Sequence, residues 1–341
     1  MSINIGKKGF GTMSMTWTVH PQPLAESIKT LQHVRTKYGV KFFNGSTFYH
    51  VGPERLNLKL LREFAIAAKD PELIFSIKGG TSREDFRKPA TDKQGIEDDM
   101  QLLDEFFGDL NPKPKLIYQV SRVGPLPYDQ TIGYIQEHVK TGRIDGISIS
   151  EVGVESIKKA VSVAPISCVE VEVSLFSQDI IENGILAEAA KHGITIVPYS
   201  PLCRGILTDH AVETDFLNNI PEGDIRSFIK LDKFQPENFE KNKVCLDKLY
   251  DYAHKKKNTT LESLALSYLN GLSGLKEFEG IKNLPQFVPI PSGKSIERVD
   301  QNYSNLIDLS PEDISEIQTI LKENKVVGSR YNAQMERTLN G

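Results

Sequence analysis

Leu116-Ile117-Tyr118-Gln119-Val120, then Tyr128, Ile132, Ile135 and Val139 at helical spacing, then Gly146-Ile147-Ser148-Ile149 form one passage in the middle of the chain. A short apolar run, a one-faced helix and a second short run predict two parallel strands joined by a crossover helix. The alternation extends in both directions. Strand-like runs recur at Leu73 to Ile77, Cys168 to Val173, Ile194 to Pro198 and Phe287 to Ile290, and Lys41 to Asn44 and Phe10 to Met15 complete the series. Leu24, Ile28, Leu31 and Val34 mark another helix face. The runs are mostly apolar throughout, as expected of parallel strands covered on both sides.

About eight such units in 341 residues predict an α/β fold, a closed (β/α)8 TIM barrel occupying residues 1–341 as a single domain. An open dinucleotide-binding sheet is the rival. It calls for Gly-x-Gly-x-x-Gly after the first strand, and Gly9-Phe10-Gly11-Thr12-Met13-Ser14 lacks the third glycine. Ser310-Pro311-Glu312-Asp313 combines an N-cap hydroxyl, an N1 proline and first-turn acids, so an extra C-terminal helix starts there, with Ile314, Ile317 and Leu321 as its apolar face. One segment breaks the repeat. Thr208 to about Asn242 is long and polar, with a turn at Pro221-Glu222-Gly223-Asp224, and it reads as a cofactor or substrate loop.

Bulk composition excludes several classes. Apolar and charged fractions of 39% and 25% are those of a water-soluble globular chain, and a net charge of -4 provides no field to recruit nucleic acid or a membrane. Lys255-Lys256-Lys257 reads as a solvated helix end. Cys168, Cys203 and Cys245 are widely spaced, which fits reduced thiols rather than a disulfide frame. The seven histidines include no His-x-x-x-His pair, so no metal site is expected. Residues 1–10 lack a signal-peptide profile and no run reaches membrane-span length. The expectation is a cytoplasmic protein, nuclear entry left open, acting as a monomer or weak homo-oligomer.

In a (β/α)8 barrel, functional side chains come from the C-terminal ends of the strands. Those positions hold Asn44 and Tyr49, Lys78, Ser121, Ser150 and Glu151, Glu170, Tyr199, and Ser292, Gly293 and Lys294. A lysine closing the apolar run Phe75-Ser76-Ile77-Lys78 is costly unless paired or used.

Taken together, these residues resemble the aldo-keto reductase family over nearly the whole chain. Asn44-Gly45-Ser46-Thr47-Phe48-Tyr49 stands where that family has Asp-Thr-Ala-x-x-Tyr, Lys78 matches its lysine, and Tyr199-Ser200-Pro201-Leu202, followed by Arg204-Gly205, matches its nicotinamide-stacking motif. Ile290-Pro291-Ser292-Gly293-Lys294-Ser295, with Arg298, Gln301 and Asn302, resembles its cofactor-phosphate stretch. Gly11, Thr12 and Met13 in the first run are further candidate cofactor contacts, and Trp17, Phe48 and Phe176 are candidate walls of the substrate mouth. Two tetrad positions depart from the family: Asn44 replaces the aspartate and Ser121 the histidine. Ser150-Glu151 and Glu170 stand where many relatives hold the nicotinamide amide with Ser-Asn and Gln. The departures resemble the fungal pyridoxal reductase branch, apart from an extra His50-Val51 after Tyr49.

The resemblance implies NADPH as cofactor, a small aldehyde as substrate, and reduction of pyridoxal to pyridoxine. Tyr49 would be the general acid, since a phenol of pKa about 10 keeps its proton at neutral pH. Lys294 and Arg298 would take the 2′-phosphate of NADPH, and Arg226 in the long loop is a weaker candidate for the pyrophosphate. With Asn44 in place of aspartate, Lys78 is expected to be less firmly anchored and its pKa less elevated. Alternatives are a broad-specificity aldehyde reductase, an NADPH-binding regulatory barrel with little catalysis, and a Schiff-base lyase or isomerase built on Lys78.

Overall fold

The computed structural model describes residues 3–51, 55–220, 224, 226 and 231–331. Seven parallel strands run in chain order around a barrel: β1 (Gly9–Gly11), β2 (Phe42–Ser46), β3 (Ile74–Gly79), β4 (Lys115–Val120), β5 (Gly146–Ser150), β6 (Cys168–Glu172) and β7 (Thr195–Tyr199). Residues 286–291 close it. The Ile196 N–H donates to Gln286 O at 2.8 Å and the Ile290 N–H to Pro198 O at 3.1 Å, while Gly9 and Gly11 donate to Pro289 O and Pro291 O at 3.3 and 3.1 Å. Pro289 and Pro291 have no N–H to give, so this eighth stave meets β1 through its carbonyls, while toward β7 the Val288 N–H also donates to Ile196 O at 2.9 Å. The fold is the (β/α)8 barrel expected from the alternation.

The first element is corrected. Phe10 to Met15 is not one strand: β1 stops at Gly11, and α1 (Met13–Thr16) begins two residues later. Thr12 forces the change of direction, its N–H and Oγ1 both donating to Asn44 O at 3.0 and 2.8 Å. The crossover helices are α2 (Leu24–Tyr38), α3 (Leu56–Ala68), α4 (Lys93–Phe107), α5 (Tyr128–Lys140), α6 (Val154–Val163), the short α7 (Asp179–Glu182) and α8 (Ile185–His192). The long polar segment is partly helical. α9 (Asp209–Glu213) follows an N-cap at Thr208, and Asn242 lies within α10 (Pro236–Asp251) rather than at a loop end. Residues 221–223 of the expected turn fall outside the described residues. After α11 (Leu261–Gly271), a small hairpin, Glu277–Phe278 with Ile281–Lys282, precedes the closing stave, and α12 (Ile296–Tyr303) and α13 (Pro311–Glu323) follow it. Ser310 and Asp313 form a reciprocal capping box at α13, which buries Ile314, Ile317 and Leu321. The lysine run is a largely solvated helix end, with Lys255 and Lys256 exposed, and Lys255, Lys256 and Lys257 pair with Asp251, Glu316 and Asp313.

Side chains alternate along each strand, so the barrel has a distinct inner face. Outward residues such as Phe43 pack under the helices, with the Phe43 and Phe64 rings 4.9 Å apart. Inward residues form layers. Phe42, Ile74, Ile117, Cys168, Val197, Val288 and Ile290 make an apolar floor. One step along the strands, Asn44, Ser76, Gln119 and Glu170 form a buried polar layer, joined by hydrogen bonds from four strands. A polar layer above a dry floor puts the chemistry at the C-terminal ends of the strands.

Candidate active site

Lys78 lies in β3, one residue before its end, and is 8% exposed. Its Nζ donates to Tyr49 OH at 2.9 Å and to Glu170 Oε1 at 2.5 Å. Glu170, on β6 and 2% exposed, accepts at Oε2 from Asn44 Nδ2 at 2.6 Å and from Gln119 Nε2 at 2.9 Å. Asn44 also donates to Gln119 Oε1 at 3.1 Å, which Ser76 Oγ reaches at 3.3 Å.

The lysine is therefore firmly anchored, contrary to the expectation drawn from Asn44. Burial by itself would lower its pKa, but the Glu170 carboxylate, and then Tyr49, outweigh that and hold it above the ordinary lysine value. Tyr49 is also raised: burial dominates, with Lys78 acting in the opposite direction. The phenol thus stays protonated through neutral pH beside a cation ready to stabilise its anion. Glu170, a nicotinamide contact by its place in the sequence, has its carboxylate committed to Lys78, Asn44 and Gln119. That exchange was hidden because Glu170 and Lys78 are 92 positions apart and meet only across a curved sheet.

Tyr49 is covered by aromatic rings. Trp17 stacks on it at 5.3 Å, and Phe48 lies edge-on at 5.3 Å. Phe86, 45% exposed, meets Trp17 edge-on at 5.2 Å and stacks on Phe48 at 6.0 Å. No periodic signal marked Phe86, which lies between β3 and α4. Phe176 is at the other extreme: it is 4% exposed within the main core, so it packs rather than walls the mouth. His50 is half-buried and Val51 is 62% exposed on the rim.

Ser121 is buried, and its Oγ finds no hydrogen-bond partner among the described residues. Beyond it, Ser150 ends β5, and Glu151 follows with φ +50°. Tyr199 ends β7, and the turn after it strains three ordinary residues into the left-handed region: Ser200, Cys203 and Arg204, at φ +48°, +47° and +54°. Pro201, Leu202 and Gly205 complete that turn, which aims Arg204 inward to Glu172 at 3.6 Å.

The C-terminal segment reaches the same mouth, which the sequence did not reveal. Tyr199 OH and Tyr331 OH are 3.0 Å apart, Arg204 lies 4.9 Å over the Tyr331 ring, and Arg330 pairs with Glu151 at 3.4 Å and Asp179 at 3.3 Å. These contacts span the loops after β5, β6 and β7.

At the opposite lip, Ser292 Oγ meets Ser14 Oγ at 2.5 Å, and Asn302 Nδ2 donates to Ser292 O at 3.3 Å. Lys294 and Arg298 are exposed beside the N-terminus of α12, and neither forms an ion pair among the described residues. Gly293 is buried, and a side chain on it would meet Arg298 Cγ at 3.0 Å, so the close packing against α12 needs the glycine. A helix start and two exposed cations suit a phosphate group. Gln301 sits on α12, partly exposed. Gly11 and Met13 flank the Ser14 side of this lip, whereas the Thr12 hydroxyl is taken up by Asn44 O and Asn57. Arg226 is engaged within its own loop, paired with Asp224 at 2.8 Å. Among the described residues, no group of three or more His, Cys, Asp or Glu side chains could hold a metal ion, and no helix is long and apolar enough to cross a membrane.

Residues 8–322 match the aldo/keto reductase family. The chain is a member of that family. It is 31% identical over 349 residues to the Schizosaccharomyces pombe protein named "Probable pyridoxal reductase 2", covering 98% of this chain and 97% of that one. It is 29% identical to "Aldo-keto reductase yakc [NADP(+)]" from the same organism, covering 95% and 90%. A glycerol dehydrogenase structure from Gluconobacter oxydans shares the fold at TM-score 0.75 and 17% identity, covering 95% of this chain and 94% of that one. The family places the chain among oxidoreductases of aldehydes and ketones.

Proposed function

We propose that this protein reduces an aldehyde to the alcohol with NADPH, and that pyridoxal, yielding pyridoxine, is its principal substrate. The observation that carries the proposal is the buried Lys78 Nζ held 2.9 Å from Tyr49 OH, at the polar end of a barrel of this family. The pyridoxal assignment is supported by the S. pombe relative of that name and by the aromatic rings around Tyr49, which suit a planar aldehyde. NADPH is supported by exposed Lys294 and Arg298 and by the NADP(+) in the second relative's name. Three buried free cysteines fit a reducing cytoplasm.

The bound cofactor supplies a hydride to the carbonyl carbon. The negative charge that develops on the substrate oxygen is met by the Tyr49 proton. Tyr49 transfers that proton and becomes a tyrosinate, which Lys78 stabilises from 2.9 Å until solvent returns a proton. Ser121 Oγ, without a hydrogen-bond partner among the described residues, can donate a second hydrogen bond to the oxygen. A hydroxyl polarises a carbonyl less than a histidine and leaves more room, which favours reactive ring aldehydes over ketones. Trp17, Phe48 and Phe86 orient the ring and exclude water. Ser292, Gly293, Lys294, Arg298 and Asn302 would hold the phosphate end of NADPH, and Tyr199 the nicotinamide.

Following NADPH absorbance with pyridoxal, other aromatic aldehydes and simple ketones tests the reading. Pyridoxal is expected to show the highest kcat/KM and ketones the lowest. A preference for ketones, or for NADH, would contradict it.

A further inference from the structure

Family resemblance assigns the lysine's carboxylate partner to position 44, which in this chain is an amide. We propose that Glu170 is the positioning residue that keeps Lys78 charged and aimed at Tyr49, so that the carboxylate of the site has moved from β2 to β6. The proposal rests on the reading of Tyr49 as proton donor.

Three features support it. First, Glu170 is fully committed: Oε1 takes the Lys78 ammonium at 2.5 Å, and Oε2 takes the Asn44 and Gln119 amides at 2.6 and 2.9 Å. Both of its oxygens act as acceptors, from three N–H donors in all, with the ammonium on one side and two amides on the other. Second, Asn44 matches this partner. An aspartate in its place would put a second carboxylate about where the amide nitrogen stands, 2.6 Å from Glu170 Oε2. Two such anions cannot both ionise at that distance. The amide instead donates to Glu170 and to Gln119 Oε1. Asn44 and Glu170 thus form a linked pair, and neither is a simple loss. Third, no other acid among the described residues takes part. Lys78 forms its one ion pair among the described residues with Glu170, and Glu151 and Glu172 face Arg330 and Arg204. Without Glu170 the lysine would be a buried cation with only a phenol and its own burial penalty, and it would shed its proton more readily.

Because the pair is linked, single changes should be worse than the swap. Glu170→Gln is expected to lower aldehyde turnover about 10- to 100-fold and to bring the Lys78 titration down, read by NMR of 13Cε,15Nζ-labelled lysine and assigned with Lys78→Arg. Asn44→Asp alone should also lower turnover, as one of two facing carboxylates takes a proton. Asn44→Asp/Glu170→Gln, which restores one acid and one amide in exchanged places, should recover most of the loss and return the Lys78 titration toward its original position. An unchanged Lys78 titration in Glu170→Gln, or a folded double variant no better than Glu170→Gln, would overturn the proposal. If the unaltered protein reduces no carbonyl compound, the functional reading fails, while the titration arm still decides whether Glu170 holds Lys78 charged. Should Glu170→Gln not fold, Asn44→Asp and the double variant decide between them.

Discussion

Ser121 is the residue at which stability and activity are set against each other. Its hydroxyl is buried with no partner among the described residues, a state that costs about 1–3 kcal/mol and that a substrate oxygen would relieve. Ser121→Ala should therefore leave thermal stability unchanged or raise it, while kcat/KM for aldehydes falls about 10-fold or more. Differential scanning fluorimetry and steady-state assays on the same preparation read both; a loss of stability with no loss of kcat/KM would refute the assignment. Tyr49, Lys78 and Ser121 were legible in the sequence because each follows or ends an apolar strand. The partner of Lys78 was not. Strand periodicity says which residues face inward, but only closure of the barrel says which of them face each other, and Glu170 faces Lys78 from three strands away.

At the scale of elements, the end of β3 is locked by α4. Asp99 Oδ2 accepts from the Gly80 N–H and from Tyr118 OH, each at 2.6 Å, binding α4 to β3 and β4. The fit leaves no room. A Cβ on Gly79 would lie 2.3 Å from that oxygen, so Gly79→Ala should cost roughly 2 kcal/mol in chemical denaturation and shift the neighbouring Lys78. Burial raises the Asp99 carboxyl to about 6 despite its two donors. A raised folded pKa means stability that is complete below the unfolded value near 4 and is lost as pH rises through about 6. Relative to Asp99→Asn, the unaltered protein should lose on the order of 3 kcal/mol between pH 4 and pH 7. Unfolding curves across that range that stay parallel for the two proteins would show the carboxyl is not strained. Element boundaries followed the same logic as the sites. The apolar runs located six of the seven strands within two residues, but β1 was overextended because Thr12 is tied to Asn44 O, a contact between strands. The eighth stave was found as a run, yet Pro289 and Pro291 interrupt its ladder.

Across the whole molecule, the C-terminal segment acts as a strap. Val327 bonds to Asn242 through both backbone groups at 2.7 and 2.9 Å, Ser329 to Asp232, Arg330 to Glu151 and Asp179, and Tyr331 to Tyr199. None of this was legible, since Arg330 and Glu151 are 179 positions apart and no local pattern links them. Arg330→Met would leave Glu151 buried with its ion-pair partner gone, at a cost of roughly 3 kcal/mol in urea unfolding at neutral pH. A change under about 0.5 kcal/mol, typical of a surface substitution, would show that the strap only rests on the barrel.

Stopped-flow mixing of the NADPH-loaded protein with excess pyridoxal, in a single turnover, measures the step in which Tyr49 acts, free of product release. The unaltered protein should oxidise bound NADPH in one exponential phase. Tyr49→Phe, with NADPH affinity intact, should slow that phase about 10²-fold or more. A Tyr49→Phe phase as fast as that of the unaltered protein would contradict the central claim.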